Sequence, residues 1–153
     1  MAALPSVAMT PELRSWIEQV RQSFGDRCFA CGRKNDEGLH LDDWDWDDGR
    51  ATAVFRPRPE HVGAGDTLHG GLAATVLDEA MVWAGIFQER VLSVTGTLNL
   101  RFRSPLYVSD TIIAVGWVEE RRGRRLKLAG RLEVDEVVTA EASGLYLVSS
   151  TVD

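Results

Sequence analysis

Cysteine, lysine and long hydrophobic runs are scarce in this sequence, and each scarcity excludes something. The only cysteines are Cys28 and Cys31, a single CxxC, which is too little for the disulfide framework of a secreted domain of this size. The opening Met1-Ala-Ala-Leu-Pro5 lacks the basic and apolar stretches of a signal peptide, so a reducing cytoplasm is the expected location. No apolar run approaches about 18–20 residues, and no membrane partner is expected. The net charge is −6, from 23 acidic against 17 basic residues, which opposes binding to a nucleic-acid backbone. There is no GxSxG nucleophile elbow, no second CxxC, no internal repeat and no low-complexity linker. A chain of 153 residues has room for one ordinary domain and no second catalytic one.

What is present is a globular composition, 44% hydrophobic and 26% charged, sufficient for a core without staples. Among the basic residues only Lys34 and Lys127 are lysines. An arginine excess suits phosphate recognition, and a GC-rich genome produces the same bias. Five aspartates crowd between Asp42 and Asp48, far in sequence from an arginine-rich stretch at 121–125.

The first periodic segment is helical: Thr10 can cap it, Pro11 suits its first position, and Leu13, Trp16, Ile17, Val20 and Phe24 recur at helical spacing before Gly25. Residues 38–58 read as a hairpin turning at Asp47-Asp48-Gly49, with Leu39 and Leu41 on its first strand. Trp44 and Trp46 are out of phase with those leucines, so a bulge is expected near Asp42-Asp43. A glycine-rich loop, Gly63 to Gly71, leads into one long helix over 70–88. That helix is apolar around most of its circumference and is therefore expected to be buried. Strands follow over 92–102, 111–120, 126–134 and 137–148. Long strands joined by tight turns around one buried helix make an α+β fold with an antiparallel sheet.

Asp78 and Glu79 interrupt the apolar surface of the central helix. A carboxylate there is costly unless it is paired or used. Eight residues upstream, His69-Gly70-Gly71 places unpaired N–H groups and a positive helix end at a spot free of side chains, the environment that a developing oxyanion needs. Eight residues of helix span about 12 Å, so one helix cannot bring its own first N–H and its own Asp78 to the same carbonyl. Two antiparallel helices across a two-fold axis can. That geometry calls for a dimer.

The stretch His69-Gly-Gly-Leu-Ala-Ala-Thr-Val-Leu-Asp78-Glu-Ala-Met81 resembles the signature of hotdog-fold acyl-CoA thioesterases, in particular the phenylacetate-pathway type. Thr95-Gly-Thr-Leu-Asn-Leu-Arg-Phe-Arg-Ser-Pro105 is similar to that family's segment after the helix. Cys28-Phe-Ala-Cys-Gly-Arg-Lys-Asn-Asp-Glu-Gly-Leu39 resembles the opening of a bacterial subgroup. The resemblance implies a hotdog domain over 28–150 behind an N-terminal helical extension over 1–27, with the sheet wrapped around the central helix. It further implies a homodimer or tetramer with active sites across the dimer interface, hydrolysis of an acyl- or aryl-CoA to a carboxylate and free CoA, and no metal or redox cofactor.

Carried over by position, Gly70 gives the oxyanion N–H and Asp78 of the other protomer is base or nucleophile. Thr95 orients the water or the carboxylate, and His69 shapes the helix start and approaches the thioester oxygen, with Gly71 beside it at the substrate. Relatives often carry Asn or Gln six residues before the histidine, where this chain has Gly63; His61 is the nearby substitute. Arg121, Arg122, Arg124 and Arg125, with Arg101 and Arg103, are candidates for the CoA phosphates. Glu79 is expected to be structural, as are the two thiols: zinc needs two further ligands, and His40 is the only evident third. The alternative activity is a non-catalytic hotdog module that binds acyl-CoA.

Overall fold

A computed structural model describes residues 9–153; the leader reading at Met1–Pro5 and the first part of the helical extension lie outside the described residues. Helix α1 (Pro11–Ser23) starts as the sequence predicts, with Thr10 as N-cap accepting from the Leu13 N–H, and it buries Leu13, Ile17 and Val20. These residues join the same hydrophobic cluster as the sheet and the central helix. Trp16 donates its indole N–H to the Asp153 carbonyl at 2.9 Å, and the Arg90 guanidinium lies 3.8 Å from the Trp16 ring centroid. The first helix is thereby fastened to both the end of the chain and the end of the central helix.

The hairpin expected over 38–58 is shorter than its alternation predicts. Its strands are β1 (Asp45–Asp47) and β2 (Arg50–Phe55). Leu39, Leu41, Trp44 and Trp46 are all buried, but residues 38–44 form no strand, so there is no ladder at Asp42-Asp43 in which a bulge could sit. His40 has a φ of 55°, a left-handed conformation that interrupts extended chain. The two phases of apolar residues meet across this irregular segment.

Helix α2 (Gly70–Glu89) begins at the glycine pair and ends at Arg90, whose left-handed backbone closes the last turn. Long enough and apolar enough to cross a bilayer by length and composition, it is instead the core of its own domain. Ala73, Val76, Leu77, Ala80, Met81, Trp83 and Ala84 are 0–1% exposed. Strands β3 (Val91–Phe102), β4 (Ile112–Arg122), β5 (Arg125–Val134) and β6 (Val137–Thr151) follow. All pairings are antiparallel, and the sheet order is β1-β2-β4-β5-β6-β3.

The sheet closes on the helix where side chains are absent. A Cβ on Gly116 of β4 would lie 2.1 Å from the Ala80 carbonyl oxygen, so helix and sheet touch backbone to backbone there. On another side, Trp44 stacks on Trp83 at 6.2 Å and Trp46 on Phe87 at 5.3 Å, covering residues four apart on α2. The result is the expected hotdog fold, a six-stranded antiparallel sheet around one long helix, with α1 added to the same core.

Candidate functional site

Asp78 sits near the middle of α2, half-buried between the helix and the last two strands of the sheet. Thr95 of β3 donates its hydroxyl to Asp78 Oδ1 at 2.7 Å, and Tyr146 of β6 donates its phenol to the same oxygen at 2.7 Å. Among the described residues Oδ2 has no hydrogen-bond partner. Two donors on one oxygen fix the carboxylate's orientation and leave the other oxygen available as base or nucleophile. Burial, reinforced by the Asp78 carboxylate, pushes the Tyr146 phenol well above its ordinary pKa, so it stays protonated as a donor.

Thr95 is therefore brought to Asp78 within one chain, as a partner of the carboxylate. The sequence reading missed Tyr146. Its signal was its place in β6: Ala140, Ala142, Gly144, Tyr146 and Val148 alternate as the buried face, and the tyrosine alone among them carries a side-chain polar atom.

At the start of α2, His69 is the N-cap and its Nδ1 accepts from the Gly71 N–H at 3.0 Å. The Leu72 and Ala73 N–H groups both donate to the His69 carbonyl, at 3.0 and 3.2 Å. The Gly70 N–H has no partner among the described residues, leaving it the free donor of the first turn. With Nδ1 accepting, a neutral His69 carries its proton on Nε2, a second possible donor at the same spot. A Cβ at position 70 would meet nothing closer than Phe102 Cζ at 3.9 Å, so the start of the helix is open on that side, beside an exposed phenyl ring.

His61 does not reach this spot as a water-activating substitute. It is buried, its Nδ1 accepts from the Arg58 N–H at 2.9 Å, and its ring stacks on Phe55 at 5.8 Å. Burial lowers its pKa, with Arg58 adding to the effect. Only its backbone touches the site, through the His69 N–H donating to the His61 carbonyl.

The arginines, adjacent in sequence, are dispersed by strand alternation. Arg121 donates to Glu89 at 3.2 Å, at the opposite end of α2 from Gly70. Arg124 donates to the Val148 carbonyl, while Arg122 and Arg125, with Lys127, Thr97 and Ser143, line a cavity of about 440 Å³. Lys127 alternates with the fully buried Leu126 and Leu128, which places this cavity on the side of the sheet away from α2. Arg103 pairs with Glu141 at 2.7 Å. Arg101, in register with Glu141, lies on the strand face opposite Phe102. Within one chain, none of these is placed beside Asp78 or Gly70.

A second cluster lies on the other side of the helix. Glu79 Oε1 accepts from the Trp83 indole at 3.0 Å, and Oε2 lies 3.9 Å from Cys28 Sγ. Burial, with Cys28 nearby, pushes the Glu79 carboxyl up to about 7. The exposed His40 is not the residue that joins the cysteines; Glu79 is.

A sheet wrapped on one helix, with a carboxylate at mid-helix and a free N–H at its start, defines the hotdog class with the HGG-to-Asp arrangement. Residues 65–141, half of the chain, match the family model of the thioesterase superfamily, and the chain belongs to that superfamily. The bovine (Bos taurus) acyl-coenzyme A thioesterase THEM4 is 29% identical over 103 residues, 66% of this chain and 42% of that protein. An uncharacterized mitochondrial protein of Candida albicans is 26% identical over 86 residues, 56% of this chain and 39% of its own. The chain thus spans about two fifths of the length of these relatives.

Among solved structures, the E. coli PaaI protein from the phenylacetic acid degradation operon superimposes with a TM-score of 0.72 at 17% identity, covering 90% of this chain and 96% of that one. A Streptococcus mutans protein bound to acetyl CoA gives 0.64 at 14% identity, covering 69% and 85%. At these identities the structural likeness establishes the fold alone.

Proposed function

We propose that the chain is an acyl-CoA thioesterase, hydrolysing an acyl- or aryl-CoA to a carboxylate and free CoA at sites built from two protomers. The observation that carries this reading is the Asp78 carboxylate, tied at Oδ1 by Thr95 and Tyr146 and open at Oδ2, on a helix whose first N–H is unpaired. Gly70 of one protomer holds the thioester oxygen as charge develops on it. Asp78 of the other protomer takes a proton from the attacking water or attacks the carbonyl carbon itself. The thiolate of CoA leaves and takes up a proton; where Asp78 attacks directly, water then hydrolyses the resulting acyl–Asp78 anhydride to release the carboxylate and restore Asp78. A thioester is reactive enough to need no serine or cysteine nucleophile.

The edge of the sheet supports the dimer. Strand β3 is an outer strand of 12 residues, and Val94, Leu100 and Phe102 on it are 37–58% exposed. A long apolar edge is a template for pairing with another chain, here a second copy of this one. Of the basic residues, Arg122 and Arg125 share a cavity with Lys127 and are the ones we assign to the CoA phosphates. A reducing, cytoplasmic setting belongs to the same proposal, supported by the two free thiols.

The test is release of free thiol from a panel of short, long and aromatic acyl-CoAs, with Asp78→Asn alongside. Turnover that collapses in a folded Asp78→Asn protein supports the reading; undiminished turnover refutes it. Binding of acyl-CoA without thiol release by the unaltered protein would make the chain a binding module instead.

A further inference from the structure

Cys28 and Cys31 occupy a turn between α1 and β1, and Glu79 reaches them from α2, 51 positions after Cys28. We propose that Cys28, Cys31 and Glu79 form a binding site for a thiophilic divalent cation of the zinc type, with one coordination position left to water.

The distances fit such an ion. The three donor atoms all lie within 4.8 Å of one another, with Cys28 Sγ 3.9 Å from Glu79 Oε2. Tetrahedral zinc, with bonds of about 2.3 Å to sulfur and about 2.1 Å to oxygen, puts its ligands about 3.8 Å apart for two sulfurs and about 3.6 Å apart for sulfur and oxygen. Small side-chain adjustments suffice to gather the donors around one centre.

The surroundings hold each donor in place. The Gly32 N–H donates to the Cys28 carbonyl at 2.8 Å, closing a tight turn. A Cβ on Gly32 would lie 2.5 Å from the Cys28 nitrogen and 2.6 Å from its carbonyl oxygen, so the turn requires glycine after Cys31. The Leu39 and Leu41 N–H groups hold the carbonyls of Phe29 and Ala30 at 2.8 Å, and Arg21 Nη1 holds that of Cys31 at 2.8 Å.

Trp83 anchors one Glu79 oxygen and so leaves the other directed at the sulfurs, the kind of outer hydrogen bond that orients a metal ligand. Arg21, the buried cation nearby, stacks on Trp83 and spends its Nη atoms on the carbonyls of Cys31 and Asp42. Among the described residues it makes no ion pair with Glu79. A divalent cation would supply the positive charge that this cluster lacks among the described residues. Two thiolates and one carboxylate select zinc, cobalt or iron over magnesium or calcium. The half-buried Cys28 gives the ion its way in, and a bound ion would clip the segment before β1 onto α2, one residue from Asp78.

The test uses the full chain, reduced, stripped with chelator and titrated anaerobically with Co²⁺. A thiolate-to-cobalt charge-transfer band with intense tetrahedral visible bands is expected, saturating at one cobalt per chain and bleached by Zn²⁺. Cys28→Ser should abolish the tetrahedral spectrum, and Glu79→Gln, which removes a direct ligand, should weaken cobalt binding by at least the roughly 10–100-fold that loss of an outer partner costs. A wild-type protein with no charge-transfer band at stoichiometric cobalt overturns the proposal, independently of whether any variant folds. So does a Glu79→Gln protein, folded by circular dichroism, that binds cobalt with unchanged spectrum and affinity.

Discussion

Gly70→Pro removes one atom pair from the proposed site and little else. Gly70 is the first residue of α2, the position where proline is best tolerated because its missing N–H belongs to no helical hydrogen bond. His69 has φ −58° and ψ 128°, the extended conformation favoured before proline. A Cβ at 70 finds its nearest neighbour at 3.9 Å. The substitution should leave stability nearly unchanged while deleting the one unpaired N–H of the first turn. Loss of a single oxyanion donor costs about 10²–10³ in kcat, or about 2.7–4 kcal/mol.

The same variant tests the division of the site between protomers. Gly70→Pro and Asp78→Asn homodimers should both be nearly inactive. Unfolded together and refolded one to one, half of the dimers are mixed, and each mixed dimer holds one site with both groups intact. Free-thiol release should then recover to about a quarter of the wild-type value. Refolded mixtures no more active than the mean of the two parents, with mixed dimers demonstrated by a mass tag, would refute a site assembled from Gly70 of one chain and Asp78 of the other.

Tyr146→Phe keeps the buried ring and removes one donor from Asp78 Oδ1; a hydrogen bond to a charged group contributes about 1.5–3 kcal/mol, so kcat/KM should fall by roughly 10–100-fold with CoA product affinity unchanged, and an unimpaired variant would remove Tyr146 from the site. Replacing Arg122 and Arg125 together by alanine should raise KM for acyl-CoA about tenfold, or about 1.4 kcal/mol, at low salt and by less at high salt; an unchanged KM returns the arginine excess to genome composition. Val94→Lys with Leu100→Lys puts charges on the outer strand, the device by which natural sheets block edge pairing, so a folded monomer without turnover is expected by sedimentation and thiol release, and an active monomer would contradict the shared site.

The parts of the fold legible in the sequence are those in which one periodicity runs undisturbed. Helix α2 keeps apolar residues on nearly every side, and β3 to β6 are long strands with tight turns between them, so their expected bounds differ from the observed ones by at most three residues. Residues 38–44 defeat the same reasoning because Leu39 and Leu41 alternate as a strand would, yet are buried by chain that wraps over Trp83 and Phe87. HGG-to-Asp spacing singled out Asp78 and Gly70, and the resemblance of the segment from Thr95 to Pro105 singled out Thr95, because each pattern lies within one element. Alternation in β6 marks Tyr146 as a polar group on a buried face, but its meeting with Asp78, like that of Glu79 with the cysteines, joins residues 51–68 positions apart, which no local pattern carries. The arginines are divided for the opposite reason: at the hairpin tip strand alternation sends Arg121 to Glu89 and leaves Arg122 and Arg125 together in a cavity on the other face.

Asp78 and Glu79 point about 100° apart on α2, and that angle separates two chemistries. Asp78 faces Thr95 and Tyr146 on the sheet, near an exposed strand, and both donors choose the same oxygen. Glu79 faces Trp83 and the thiols, 8% exposed, where burial pushes its carboxyl up to about 7 and no substrate carbonyl can approach through Trp44 and Trp83. A carboxylate that acts on a thioester must be reachable and must keep a lone pair uncommitted. Only Asp78 satisfies both conditions, and it does so because its hydrogen bonds converge on Oδ1 instead of being shared between its oxygens. Under the proposed function, access and the distribution of donors, more than the identity of the acid, are what single out Asp78 on this helix, and they leave Glu79 to the cysteines on its other side.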